Sequence, residues 1–172
     1  GHGGVAFGFL SNELLRKDPP TIGWFGNENP FDMEATKLNL SKTAAKYTQS
    51  TISYISVVGL KTAIQQLLDI KISSIMKHSD KLAKILFSML EESDWKSFRP
   101  TTSNEFSSHI ISLTHPCANT VKSTFEQLSK KGFIFGIRNG RLRISISHYN
   151  NSTDIKYLGA SLLRDLSSVS KV

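Results

Sequence analysis

The sequence predicts a mixed α/β chain: one strand buried on both faces, two long helices, and a C-terminal α+β subdomain on a small, largely antiparallel sheet. Three observations carry this expectation. Residues 5–10 (VAFGFL) are a nearly uninterrupted apolar run, as in a strand covered from both sides. Between residues 52 and 92 the apolar positions recur at helical spacing. From about residue 92 on, the order is strand, helix, hairpin, helix, which places helices on one face of a small sheet.

Taken in order, residues 1–4 read as a flexible lead-in. They are not a phosphate loop, which would follow a strand and end in Gly-Lys-Ser/Thr. One strand at 5–10 cannot make a sheet, so its partners are expected upstream of Gly1. Residues 11–15 read as a short helical turn. Residues 17–43 are irregular, punctuated by Pro19-Pro20, Gly23-Trp24, Gly26 and Asn29-Pro30. A loop of that length is usually functional or packed on a partner. Over residues 52–68, Ile55, Val58, Ile64, Leu67 and Leu68 are in helical phase. A second helix, 71–92, carries the stripe Ile75, Leu82, Ile85, Leu86, Met89 and Leu90. Residues 99–108 are a linker and 109–114 (HIISLT) a short strand. A helix from about Ala118 turns Val121, Phe125 and Leu128 inward. Lys130 and Lys131 suit its C-terminal dipole and Gly132 its C′ position. Asn151 or Ser152 caps a last helix with Asp154 in its first turn, and Ile155, Leu158, Leu162, Leu163 and Leu166 form its buried stripe.

Residues 133–151 (FIFGIRNGRLRISISHYNN) are the most informative stretch. Asn139-Gly140 signals a two-residue type I′ hairpin, because that turn needs positive φ at both central positions. The short loop fixes the register. Arg138 faces Arg141, Ile137 faces Leu142, Gly136 faces Arg143, Phe135 faces Ile144, and Phe133 faces Ile146. Alternation then puts Phe133, Phe135, Ile137, Leu142, Ile144 and Ile146 on one face and Arg138, Arg141 and Arg143 on the other. Gly136 leaves open space beside Arg143, and a planar guanidinium grips a carboxylate through two parallel hydrogen bonds. The same pattern also describes the solvated face of a half-exposed sheet.

The bulk properties narrow the function. The chain has 172 residues, 39% hydrophobic and 20% charged, so a packed core is expected and disorder is not. The net charge of +7 raises an acidic partner such as nucleic acid, but the lysines are scattered and no basic-aromatic interleaving is visible. The single cysteine, Cys117, excludes an internal disulfide and suits a reducing compartment. It is expected to be a small buried residue at a strand-to-helix turn. No stretch has the length and apolarity of a membrane span, and no signal peptide is present, so a cytoplasmic protein is expected. His2, His78, His109, His115 and His148 show no metal-ligand spacing, so no metal is expected.

Several segments together resemble the C-terminal part of class V aminotransferase-like enzymes of fold type I, which use pyridoxal phosphate. The group includes cysteine desulfurases, kynureninases and isopenicillin-N epimerase-like proteins. Residues 4–10 (GVAFGFL) are similar to the strand shortly after the cofactor-binding lysine. The stretch from Gly23-Trp24 to Pro30-Phe31 resembles a kynureninase-like loop. Tyr47-Thr48-Gln49-Ser50-Thr51, ending at Gly59-Leu60, resembles the family's "FExGT…GL" segment, with Ser50 in place of its usual Gly. Arg143-Ile144-Ser145 followed by Tyr149-Asn150 resembles its "LRxSxxxYN" pattern.

The resemblance implies an end of the fold-type-I large-domain sheet (one strand), connecting helices, and a C-terminal small domain. The corresponding ranges are 1–50, which include an active-site or dimer loop, then 51–92 and 93–172. It implies that Arg143 binds the α-carboxylate of an amino-acid substrate. It also implies that Thr51 hydrogen-bonds the phosphate of pyridoxal 5'-phosphate, in a homodimer. For Thr51 the residue pattern equally allows a hydroxyl that caps a helix at Tyr54. Trp24 reads as a loop aromatic packed on its own subunit or as a site-lining residue. Tyr149 and Asn150 read as anchors between hairpin and last helix, and His148 as a surface histidine or a neighbour of Arg143. The Schiff-base lysine is expected upstream of Gly1, so the chain alone is expected to be inactive. The cofactor supplies the electron sink, and the protein positions and tunes it. The nucleophilic-cysteine loop of the desulfurase branch is here only Asn139-Gly140, which argues against persulfide chemistry. Two other functions remain open: a basic nucleic-acid-binding module using Arg138, Arg141 and the lysines, and a catalytically dead relative used for dimerisation.

Overall fold

A computed structural model describes residues 4–32, 34 and 36–164, and the chain divides into two compact units, Gly1–Asp69 and Ile70–Val172. The helical span 51–92 is shared between them.

In the first unit, α1 (Asn12–Leu15) starts at Ser11, whose Oγ accepts the Leu14 N–H at 3.3 Å. The Tyr47 hydroxyl donates to the carbonyls of Leu14 and Lys17, at 2.9 and 3.0 Å, and ties α1 to the 3-10 turn Ala44–Tyr47. Gly23 is required by a close approach, since a Cβ there would sit 1.6 Å from the Gln49 carbonyl oxygen. The neighbouring 3-10 turn, Trp24–Gly26, gathers Trp24, Phe25 and Phe31 edge to face. Trp24 is therefore packed on aromatics of its own loop.

Helix α2 (Tyr54–Ile70) forms where helical spacing predicts it, yet its apolar stripe is only partly covered, Ile64 and Leu67 being half-buried. Ser56 is its one buried residue, while Ile55 is 71% and Val58 63% exposed. The strand predicted at 5–10 also differs. No strand pairing forms there, and Phe9 is 96% exposed. A strand needs a ladder partner for its N–H and C=O groups, and none of the described strands supplies one. Of the lead-in predicted at residues 1–4, Gly1, His2 and Gly3 lie outside the described residues.

The second unit carries the core. Its elements are α3 (Ile72–Leu90), β1 (Lys96–Ser97), β2 (Ile110–Thr114), α4 (Ala118–Lys130), β3 (Gly136–Arg138), β4 (Arg141–Ser145) and α5 (Ser152–Arg164). The strands form one antiparallel sheet in the order β1-β2-β4-β3. Leu82, Leu86 and Leu90 of α3 pack with Ile111, Leu113, Leu142 and Ile144 of the sheet and with Ile155, Leu158 and Leu162 of α5. Trp95, just before β1, is buried in the same core. Each fully buried Leu stabilises the fold by about 1.5–3 kcal/mol relative to leaving it in water. Leu166, predicted in the α5 stripe, lies outside the described residues.

Asn151 is the cap of α5. Its Oδ1 accepts the N–H of Thr153 and Asp154, at 2.8 and 3.1 Å, and Asp154 Oδ2 accepts the Asn151 N–H at 2.9 Å. Asn150 holds the chain between β4 and α5. Its Oδ1 accepts the Ser147 N–H, its Nδ2 donates to Asp154, and its carbonyl accepts His78 Nε2–H from α3. Tyr149 has no such role and is exposed.

Candidate functional site

The hairpin has the predicted register near its turn: Gly136 opposite Arg143, Ile137 opposite Leu142, Arg138 opposite Arg141. Asn139 (φ 49) and Gly140 (φ 72) take the left-handed backbone that a type I′ turn requires. The ladder stops at Gly136, so Phe133 and Phe135 lie outside it. Both still pack against the core, on the side where Leu142, Ile144 and Ile146 are buried.

The opposite face is where the arginines stand, and the structure separates them by what each guanidinium does. Arg138 donates to the carbonyl of its neighbour Ile137 at 3.1 Å. Arg141 lies over the Phe98 ring, 3.7 Å from its centroid. Phe98 donates its N–H to the Ser112 carbonyl, which places it beyond β2 from β4. Arg141 therefore reaches across β2. Arg143 is half-buried and has no hydrogen bond or ion pair among the described residues. Its cross-strand neighbours are Gly136 on β3 and Ser112 on β2. A Cβ built on Gly136 would meet nothing within 4 Å, so the space beside Arg143 is open. A guanidinium on a central strand, flanked by a glycine and a serine, is a donor array without an internal acceptor.

Thr51 lies in the first unit and Arg143 in the second, each positioned by its own unit. Thr51 is exposed and does not cap α2. Ser53 stands at that helix start, where its carbonyl accepts the Val57 N–H at 3.0 Å and its Oγ bonds Ser56 Oγ at 3.0 Å. The Thr51 hydroxyl has no partner among the described residues. His148 is half-buried against Tyr149, with a 3.4 Å contact from Nδ1 to Ser147 Oγ.

Cys117 corrects an expectation. It is exposed, at the N-cap of α4. The Thr120 hydroxyl, then the N–H groups of Thr120 and Asn119, hold its thiol below the usual thiol range. Its own N–H donates to Nδ1 of His115 at 3.1 Å. Ser112 and the Phe98–Arg141 stack were not singled out from the sequence. Ser112 was legible in principle, as the outward position between Ile111 and Leu113. Phe98 was not, since β1 is too short to show periodicity.

Among the described residues, no group of three or more His, Cys, Asp or Glu could hold a metal ion, and no helix is long and apolar enough to cross a membrane.

No protein-family model matches the sequence, and no curated protein does. Solved structures match the fold. The cysteine desulfurase CsdA from Escherichia coli aligns at TM-score 0.69 and 19% identity, over 87% of this chain and 39% of that one. The apo cysteine desulfurase from Thermococcus onnurineus NA1 aligns at TM-score 0.74 and 16% identity, over 91% and 41%. A NifS-like protein aligns at TM-score 0.60 and 21% identity, over 72% and 37%. The chain thus spans about two fifths of the length of the structures it matches, and its fold is that of a C-terminal portion of a cysteine desulfurase.

Proposed function

We propose that this chain is the C-terminal part of a pyridoxal-phosphate-dependent, class V aminotransferase-like enzyme acting on an amino acid, with Arg143 as the binder of the substrate's α-carboxylate. The reading rests on one observation above all. In a fold shared with cysteine desulfurases, the Arg143 guanidinium is half-buried, uncommitted and open on the Gly136 side. Rigid placement on the central strand matters, because a positioned cation lowers the entropy lost when substrate is oriented.

Toward the cofactor, the residues present fit a peripheral role. The free Thr51 hydroxyl is the kind of donor a phosphate oxygen takes, and Arg143 addresses the substrate rather than the cofactor. When bound, pyridoxal phosphate would supply the electron sink for cleavage of a bond at the substrate's Cα. We further propose that this chain does not turn over substrate by itself. The exposed apolar side chains of Phe7, Phe9, Ile55 and Val58 support a protein that buries them against another chain, as in a homodimer. The free, exposed Cys117 fits a reducing, cytoplasmic setting.

The test is kinetic. In the whole cofactor-loaded enzyme, Arg143→Ala should raise the KM for the amino acid by tenfold or more, on the order of a lost charged hydrogen-bond pair, and leave cofactor absorbance in place. An unchanged KM would remove Arg143 from the site.

A further inference from the structure

Arg143 does not stand alone on its face of the sheet. Ser112 is its cross-strand neighbour on β2, and both alternate with buried residues, Ile111 and Leu113 on one strand, Leu142 and Ile144 on the other. Directly opposed side chains on one face have Cβ atoms about 4.5–5.5 Å apart, close enough for both to touch one small anion. The Ser112 hydroxyl, like the Arg143 guanidinium, has no partner among the described residues. On the other flank, Gly136 contributes no side chain and leaves the approach open. Arg141 stretches over β2 to Phe98, which fixes a second cation above the strand that carries Ser112.

We infer that Ser112 is a specificity-determining residue of this site: its hydroxyl donates to the same carboxylate that Arg143 grips, while the notch at Gly136 admits the ligand. The inference rests on the proposed role of Arg143 and adds a residue to it. The chemistry is selective. Arg143 offers two parallel N–H donors to the two oxygens of a planar carboxylate, and one oxygen keeps a lone pair for a third donor. A carboxamide has a single acceptor oxygen and an NH₂ group that faces a donor, so it is rejected.

The experiment uses the 172-residue chain, with L-alanine and L-alaninamide as probes and NMR of the arginine Nε–Hε groups as readout. In the wild type, the Arg143 signal should shift with L-alanine and not with L-alaninamide. Ser112→Ala should weaken L-alanine binding by about tenfold, the fold-change of one hydrogen bond to a charged group. Ser112→Thr, which keeps the hydroxyl, should restore it. Gly136→Val, whose Cβ meets nothing within 4 Å, should leave the fold's amide spectrum intact and block the shift. If Ser112→Ala binds as the wild type does while Arg143→Lys abolishes binding, the Ser112 assignment is overturned and the role of Arg143 survives. If the wild-type Arg143 signal ignores L-alanine or responds equally to the amide, both fall together.

Discussion

Leu142 is the residue through which the hairpin holds Arg143 in place, and its removal has a calculable cost. It lies on the central strand β4 at 0% exposure, with Leu113 across on β2 and Ile137 across on β3. Leu142→Ala removes a buried isobutyl group from a site walled by two ladders, which cannot collapse without breaking strand pairing. The cost is the lost transfer energy plus a cavity contribution, about 3–4 kcal/mol for a rigid site. In a cooperative unit of roughly a hundred residues, 1 kcal/mol shifts Tm by about 4–8 °C, so a fall of about 12–32 °C is expected. The assay can be confined to the second unit. Trp95 is buried in its core and Trp24 belongs to the first unit. In a Trp24→Phe background, tryptophan fluorescence in urea therefore reports the second unit alone. The midpoint should fall with an unchanged slope. The control is Ile134→Ala, at a fully exposed position of the same unit, with an expected change within about 0.5 kcal/mol. A loss below 1 kcal/mol for Leu142→Ala, or an equal loss for Ile134→Ala, would refute the packing described for the sheet.

Other perturbations have defined outcomes. Asn151→Ala removes the cap that pairs with Asp154 and should cost about 1 kcal/mol by the same urea assay, with no effect expected at neighbouring exposed Thr153. Gly140→Val forces a β-branched residue to φ 72 and should destabilise by about 1–2 kcal/mol, measured by thermal melting. At Cys117 the thiol is depressed, so the thiolate is already present at pH values where an ordinary thiol is protonated. Iodoacetamide alkylation should reach half-maximal rate at a lower pH than for a free cysteine peptide, and Thr120→Val should move that midpoint upward. A midpoint that Thr120→Val leaves in place would discard the hydroxyl as the cause.

Local signals made the second unit readable from sequence. The Asn139-Gly140 turn set the pairs from Gly136–Arg143 to Arg138–Arg141, though not the expected pairs of Phe135 and Phe133, and alternation assigned the faces of the hairpin; α3, α4 and α5 followed from 3.6-residue periodicity and caps. What local signals could not carry was long-range pairing. Strand β1 has two residues, too few for a period, so Phe98 and its stack with Arg141 were invisible. The pairing of β2 with β4, which brings Ser112 beside Arg143, joins residues separated by an entire helix. Hydrophobicity also misled in two places. The apolar run at 5–10 read as a buried strand, and the helical phase on α2 gave the helix but not its burial; Phe9 and Ile55 are exposed, because an apolar pattern records what a segment is suited to bury and not whether it is covered. Cys117 failed for the opposite reason: its composition suggested burial, and at its cap position it is exposed.

The most direct measurement is a crystal structure of the chain grown with L-alanine. The carboxylate should be found hydrogen-bonded to both outer nitrogens or to Nε and one outer nitrogen of Arg143, over the Gly136 notch and within reach of Ser112 Oγ. Density for the amino acid at Arg138 or Arg141 instead, or an Arg143 side chain folded onto a protein carboxylate with the notch closed, would contradict the assignment of this face as a carboxylate site.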